Sequence, residues 1–148
     1  MPKPTNSSQY PYMFSDDMKF LQKVIVLHPQ KEGVFLILKR SSTSHSRPGD
    51  WDFPGGNVLY GEKHLDSLLR EIDEETKLAV DELIPVEVVT RYDEMNNIYF
   101  LGISYRAKAL GDNVTLSREH TEYKWVTLEE FLSMNTADFL HETAKKAF

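Results

Sequence analysis

Apolar residues along this chain fall into two rhythms. Val24-Ile25-Val26-Leu27 and Val34-Phe35-Leu36-Ile37-Leu38 are unbroken apolar runs, with the turn residues His28-Pro29-Gln30-Lys31-Glu32-Gly33 between them. Two such runs across a short turn predict adjacent antiparallel strands. Neither run alternates with polar residues, so both faces of each strand should be covered, as in a sheet between helices. Residues 86–92 and 98–105 are rich in β-branched and aromatic side chains, and Asp93-Glu94-Met95-Asn96-Asn97 forms a turn between them. They predict a hairpin over 86–105. Its Tyr92, Tyr99 and Tyr105 offer rings that can stack a base, although sheet packing is the simpler reading.

The second rhythm is helical. Leu65, Leu68, Leu69 and Ile72 recur at roughly 100° per residue and predict one buried stripe. Gly61 and Glu62 should open that helix, where a carboxylate suits the positive N-terminus. Thr127-Leu128-Glu129-Glu130 is a capping box for a helix running through Phe131 and Leu132. Phe139, Leu140, Thr143, Ala144 and Ala147 predict a last helix within 136–148, with one face on the sheet. Residues 41–50 are rich in Ser, Thr, Pro and Gly, and read as a loop. The alternation of strand and helix gives an α/β fold class.

A chain of 148 residues suits one domain. We place it at 19–148, after an N-terminal tail over 1–18. The stretch 1–14 is polar and holds three prolines, two serines and two tyrosines, which suits a frayed terminus. The other reading is a segment packed on a partner subunit, which is compatible with a homodimer. The chain has no cysteine, which excludes disulfides and thiolate metal sites and suits a cytoplasmic location. A net charge of -6 without a basic run argues against a nucleic-acid polymer as partner. No apolar run is long enough to span a membrane, so no membrane partner is expected.

The chemistry concentrates between Gly55 and Leu78. A glycine turn leads into the helix that carries Arg70, Glu71, Glu74 and Glu75. The three carboxylates fall on one flank, beside the apolar stripe. Like charges one turn apart destabilise a helix by about 0.2–0.5 kcal/mol. Their placement makes sense if a hard cation such as Mg²⁺ sits among them, held by a few carboxylates, water and substrate phosphates.

This stretch resembles the Nudix box, the signature of the Nudix hydrolases. The matching positions are Gly56, Glu62, Arg70, Glu71, Ile72, Glu74, Glu75 and Leu78. Matches of this kind at fixed spacing have odds on the order of 10⁻⁵ across the chain, so the pattern is a signal. Lys77 departs from it, standing where the family has glycine. Lys77 should either take the left-handed cap conformation at a penalty of about 1 kcal/mol or let the helix run on. Trp51-Asp52-Phe53-Pro54-Gly55-Gly56 extends the likeness, which covers roughly 20–132.

The resemblance implies an α/β/α sandwich around a mixed β-sheet. It also implies metal-dependent hydrolysis of a nucleoside diphosphate linked to another moiety, so the partner is a small nucleotide and the cofactor Mg²⁺, with Mn²⁺ an alternative. By the same likeness Glu71, Glu74, Glu75 and the Gly55 carbonyl are metal ligands, and Glu62 supports them. Arg70 would orient a glutamate and contact phosphate. Many members have an acidic residue shortly before a Trp-Val strand, which binds metal or acts as general base. Glu119 is the first choice for it and Glu122 the second, while His120 reads as a loop residue. Nucleoside triphosphates, nucleotide sugars and dinucleotides all stay open. The chain shows neither the downstream proline of ADP-ribose hydrolases nor the downstream tyrosine of diadenosine-polyphosphate hydrolases. The alternative function is a non-catalytic nucleotide-binding sensor on the same fold.

Overall fold

The structure is a computed structural model that describes residues 18–148. The expected tail lies outside the described residues except for Met18, which begins the first strand. The chain runs through β1 (Met18–Leu27), β2 (Val34–Arg40), β3 (Trp51–Asp52), β4 (Gly55–Asn57), α1 (His64–Thr76), β5 (Val80–Asp93), β6 (Ile98–Ala109), β7 (His120–Thr127), α2 (Leu128–Leu132) and α3 (Asp138–Lys146). The strands form one mixed sheet in the order β3-β2-β1-β6-β5, with β4 paired to β1 and β7 to β2.

β1 is the hub. It meets β2 antiparallel, with Leu27 opposite Phe35, and runs parallel to β6 from Met18/Tyr99 to Leu27/Lys108. Its unbroken apolar character has the expected cause. Val24 and Val26 join Leu36, Leu38, Leu68 and Ile72 in one core, while Ile25 joins Phe35, Ile37, Phe53, Phe131 and Leu140 in another. α1 closes the first face, and α2 with α3 closes the second. This is the α/β/α sandwich, and each fully buried Leu, Ile or Phe in it contributes about 1.5–3 kcal/mol.

The hairpin is longer than its sequence pattern. β5 begins at Val80 rather than Val86, and Pro85 sits inside it opposite Tyr105. β5 is an edge strand whose register shifts on either side of Pro85, so the missing N–H is tolerated there. Tyr105 is buried, and its hydroxyl donates to Gln22 Oε1 at 3.0 Å, which is packing and not base stacking.

α1 differs in two ways. It starts at His64 with Lys63 as N-cap, so Gly61 and Glu62 belong to the preceding turn. Leu68 and Ile72 are buried, but Leu65 and Leu69 are 42% and 46% exposed. The buried arc instead takes in Glu75 and Thr76. α1 leans on the glycine strand β4, and that contact turns the helix so that a carboxylate replaces two leucines in the interior. Lys77 ends the helix in the left-handed conformation (φ 59°, ψ 23°), and its N–H donates to the Asp73 carbonyl at 2.8 Å.

The capping box at Thr127 and Glu130 is formed as expected. α3 buries Leu140, Thr143 and Ala144, whereas Phe139 is about half exposed beneath the Arg47 guanidinium. Among the described residues no helix is long and apolar enough to cross a membrane.

Candidate active site

The sheet, α1 and the loop after β2 enclose a cleft of about 570 Å³. Gly55, Gly56, Glu71, Glu75 and Glu119 line it, together with Lys23, His45, Arg118, His120 and the hydroxyl residues Ser41, Thr43 and Ser44. Four of the expected site positions, Gly55, Glu71, Glu75 and Glu119, therefore meet in one place. They come from a strand, a helix and a loop.

The two glycines make this meeting sterically feasible. Gly55 has φ 150°, and a Cβ there would fall 2.0 Å from the Gln22 carbonyl oxygen. A Cβ on Gly56 would fall 2.7 Å from the carboxyl carbon of Glu71. Glu75 is nearly fully buried, and its Oε1 accepts the Gly55 N–H at 2.9 Å. Burial pushes its carboxyl up to about 8, against the pull of that N–H and of Lys23; Glu119 and Glu71 push the same way as burial. Burial also raises Glu71, with Arg70 opposing and Glu74 and Glu119 adding. Glu119 precedes β7, with its backbone held by the Ser41 N–H, which donates to the Glu119 carbonyl at 2.9 Å.

The remaining expected residues lie outside the cleft lining. Arg70 forks between Glu62, Glu71 and Glu74, with nitrogen–oxygen distances of 3.2–3.3 Å. The hydrogen bond to Glu62 is the main cause that raises Arg70 above its ordinary value. Glu74 is on the solvent side of the helix, because it sits about a sixth of a turn beyond Glu71 from the buried arc. Glu62 Oε1 also accepts the Leu59 N–H, closing the turn before α1. Glu122 projects from β7 to a surface pairing with Lys39 at 3.2 Å.

Two features escaped the sequence. His120 is not a loop residue: it starts β7, is buried, and holds Nδ1 3.6 Å from Glu75 Oε2. Burial lowers its imidazole, and Lys23 and Arg40 act in the same direction. The second is Asp52, wholly buried, whose Oδ2 accepts from Lys23 at 2.9 Å and from Arg40 and Arg47 at 2.8 Å each. Burial would raise its carboxyl, but the three cations outweigh that and hold it at about 2. This knot joins β1, β2 and the 41–50 loop, and so fixes the loop over the cleft. The only hint in the sequence is an aspartate between Trp51 and Phe53 with arginines nearby.

Residues 22–147 match the family profile described as the NUDIX domain. The chain belongs to the Nudix family. It is 30% identical over 128 residues to the nucleoside triphosphatase NudI of Enterobacter sp. (strain 638), covering 80% of this chain and 88% of that one. It is 34% identical over 103 residues to the asymmetrical bis(5'-nucleosyl)-tetraphosphatase of Rattus norvegicus, covering 65% of each. Among solved structures, the MutT protein of Methanosarcina mazei Go1 superposes with a TM-score of 0.75 at 27% identity, over 90% of this chain and 95% of that one. The protein is a Nudix pyrophosphohydrolase.

The residues present fit a divalent cation. The buried Glu75 and the half-buried Glu71 are both driven toward protonation, which a cation would relieve, and ligand atoms of Glu75, Glu119 and His120 lie within 4.8 Å of one another. Glu71 and the Gly55 backbone stand beside them. In this Nudix cleft the box glutamates thus divide: Glu71 and Glu75 face inward, while Glu62 and Glu74 hold the arginine outside.

Proposed function

We propose that this chain hydrolyses a phosphoanhydride bond in a nucleoside diphosphate linked to another moiety, with Mg²⁺ as cofactor and Mn²⁺ able to replace it. One observation carries the reading. The same cleft holds carboxylates that need a cation and the Lys23, Arg118 and hydroxyl groups that suit anionic oxygens. A diphosphate accompanied by a metal ion satisfies both.

Glu71, Glu75 and Glu119, with the Gly55 carbonyl, would hold the ion. When bound, it would polarise a phosphoryl oxygen and offset charge on the leaving phosphate. Glu119, fixed at its backbone by Ser41, would meet the ion through one carboxylate oxygen and act as general base through the other, taking a proton from the attacking water. Arg70 is a positioning residue: it holds Glu71 from outside the cleft, and Glu74 acts through it. The relatives are named for a nucleoside triphosphate and a dinucleoside tetraphosphate. The wall of Ser41, Thr43, Ser44 and Arg118 suits such a chain of phosphates better than a nucleotide sugar. The products would be a nucleoside monophosphate or another phosphorylated fragment, and the setting a reducing cytoplasm.

The test is phosphate release across a panel of nucleoside triphosphates, dinucleoside polyphosphates and nucleotide sugars, with Mg²⁺ and with chelator. Turnover on a polyphosphate that chelator abolishes is expected. Tight binding without turnover on any member would replace the enzyme reading with the nucleotide sensor.

A further inference from the structure

We propose that His120 is a metal ligand, so that with Glu75 and Glu119 it makes a mixed nitrogen–oxygen site suited to a first-row transition dication. This assignment rests on the role of the cleft as a divalent-metal site and names the ligand through which a transition dication such as Mn²⁺ would take the place of Mg²⁺ there.

The imidazole is built in and unused. Its side chain is 4% exposed, and Nδ1 has no hydrogen-bond partner. The nearest carboxylate oxygen, Glu75 Oε2, is 3.6 Å away, too far for a hydrogen bond. A buried polar atom left unpaired is costly, so a native one calls for a missing partner. The ligand atoms of His120, Glu75 and Glu119 lie within 4.8 Å of one another. Atoms of one octahedral shell lie roughly 3.0–4.2 Å apart, so a small closing movement brings all three onto one ion.

The backbone aims the ring. His120 stands opposite Arg40, and the β2–β7 register shifts between Lys39 and Arg40 at that point. Such irregularities re-aim side chains beside active sites. Two other enclosed histidines differ from it in different ways. His28 Nδ1 accepts the N–H groups of Gln30 and Lys31, while its Nε2 is 3.3 Å from Asp112, so it is satisfied as it stands. His141 also has an unpaired ring nitrogen, Nε2, but it packs edge-on against Phe131 and has no carboxylates gathered around it, since it belongs to no metal-ligating group among the described residues. Mg²⁺ selects oxygen, whereas imidazole suits the transition dications.

The test uses the whole protein loaded with Mn²⁺, read by pulsed electron paramagnetic resonance. Wild-type protein should show ¹⁴N modulation that becomes ¹⁵N when the protein is grown on ¹⁵N-histidine. His120→Gln should lose that coupling, bind Mn²⁺ about tenfold more weakly, and change Mg²⁺ affinity by less than about threefold. His45 also lines the cleft, so His45→Gln should keep the coupling; this assigns the nitrogen even if the first variant fails to fold. Mn²⁺ bound to wild type without nitrogen coupling, or coupling lost with His45, overturns the assignment and leaves the cleft a metal site. If calorimetry detects neither Mn²⁺ nor Mg²⁺ binding at millimolar concentration, the metal reading of the cleft falls with it.

Discussion

Oε1 of Glu75 accepts the backbone N–H of Gly55 across 2.9 Å. The bond ties the buried side of α1 to β4 and leaves Oε2 beside His120. It makes the glycine strand part of the site for a backbone reason as well as a steric one.

Replacing Gly55 by alanine should therefore be severe. The new Cβ would meet backbone, not a flexible side chain, 2.0 Å away. We expect a loss of about 3 kcal/mol or more in urea denaturation. Gly33 (φ 74°), with open space around its Cβ direction, supplies the control. Gly33→Ala should cost only about 1 kcal/mol.

Glu75→Gln keeps an oxygen for the Gly55 N–H and removes the buried charge. Steady-state assays on the preferred polyphosphate should show kcat reduced by about 10²–10⁴. Denaturation of the metal-free variant above neutral pH should show no loss of stability. A variant that is both inactive and unstable would mean the carboxylate serves the fold.

The same group predicts a pH dependence. Burial raises Glu75 from 4.5 to about 8 in the folded chain. Its protonated form therefore stabilises the fold fully below 4.5, and this contribution is lost as pH rises through about 8. In chelator, the melting midpoint of wild type should fall over that window relative to Glu75→Gln. The difference between the two proteins removes the opposite effect of His120, whose lowered value favours folding at higher pH. Mg²⁺ should raise the wild-type midpoint more at pH 8.5 than at pH 6, since it binds the deprotonated carboxylate.

Asp52 has the reverse sign. Its value is depressed from 3.8 to about 2, so its contribution is complete above 3.8 and disappears as pH falls through about 2. Asp52→Asn leaves Lys23, Arg40 and Arg47 around a neutral group. Breaking a buried ion network in this way should cost about 3–5 kcal/mol by denaturation at pH 7. It should also raise protease cleavage within residues 41–50, where Arg40 and Arg47 anchor the loop.

Lys77→Gly restores the residue expected at a left-handed helix end. Lys77 has φ 59°, so the substitution should raise stability by about 0.5–1 kcal/mol without altering kcat.

What the amino-acid sequence determined by itself was local and periodic. Unbroken apolar runs at 24–27 and 34–38 require cover on two faces, and that alone dictates a sheet between helices. The capping box at Thr127 and the spacing of Gly56, Arg70, Glu71 and Glu75 are likewise properties of neighbours along the chain. The tertiary structure decided which way α1 turns and what meets across the cleft. Leu65 and Leu69 have the right period for burial, yet contact with β4 draws Glu75 inward in their place. Asp52 depends on Lys23 from β1, and His120 on a register shift opposite β2; no local pattern carries either. Period and propensity report a residue's own element, whereas charge burial and unpaired polar atoms exist only once distant strands are side by side.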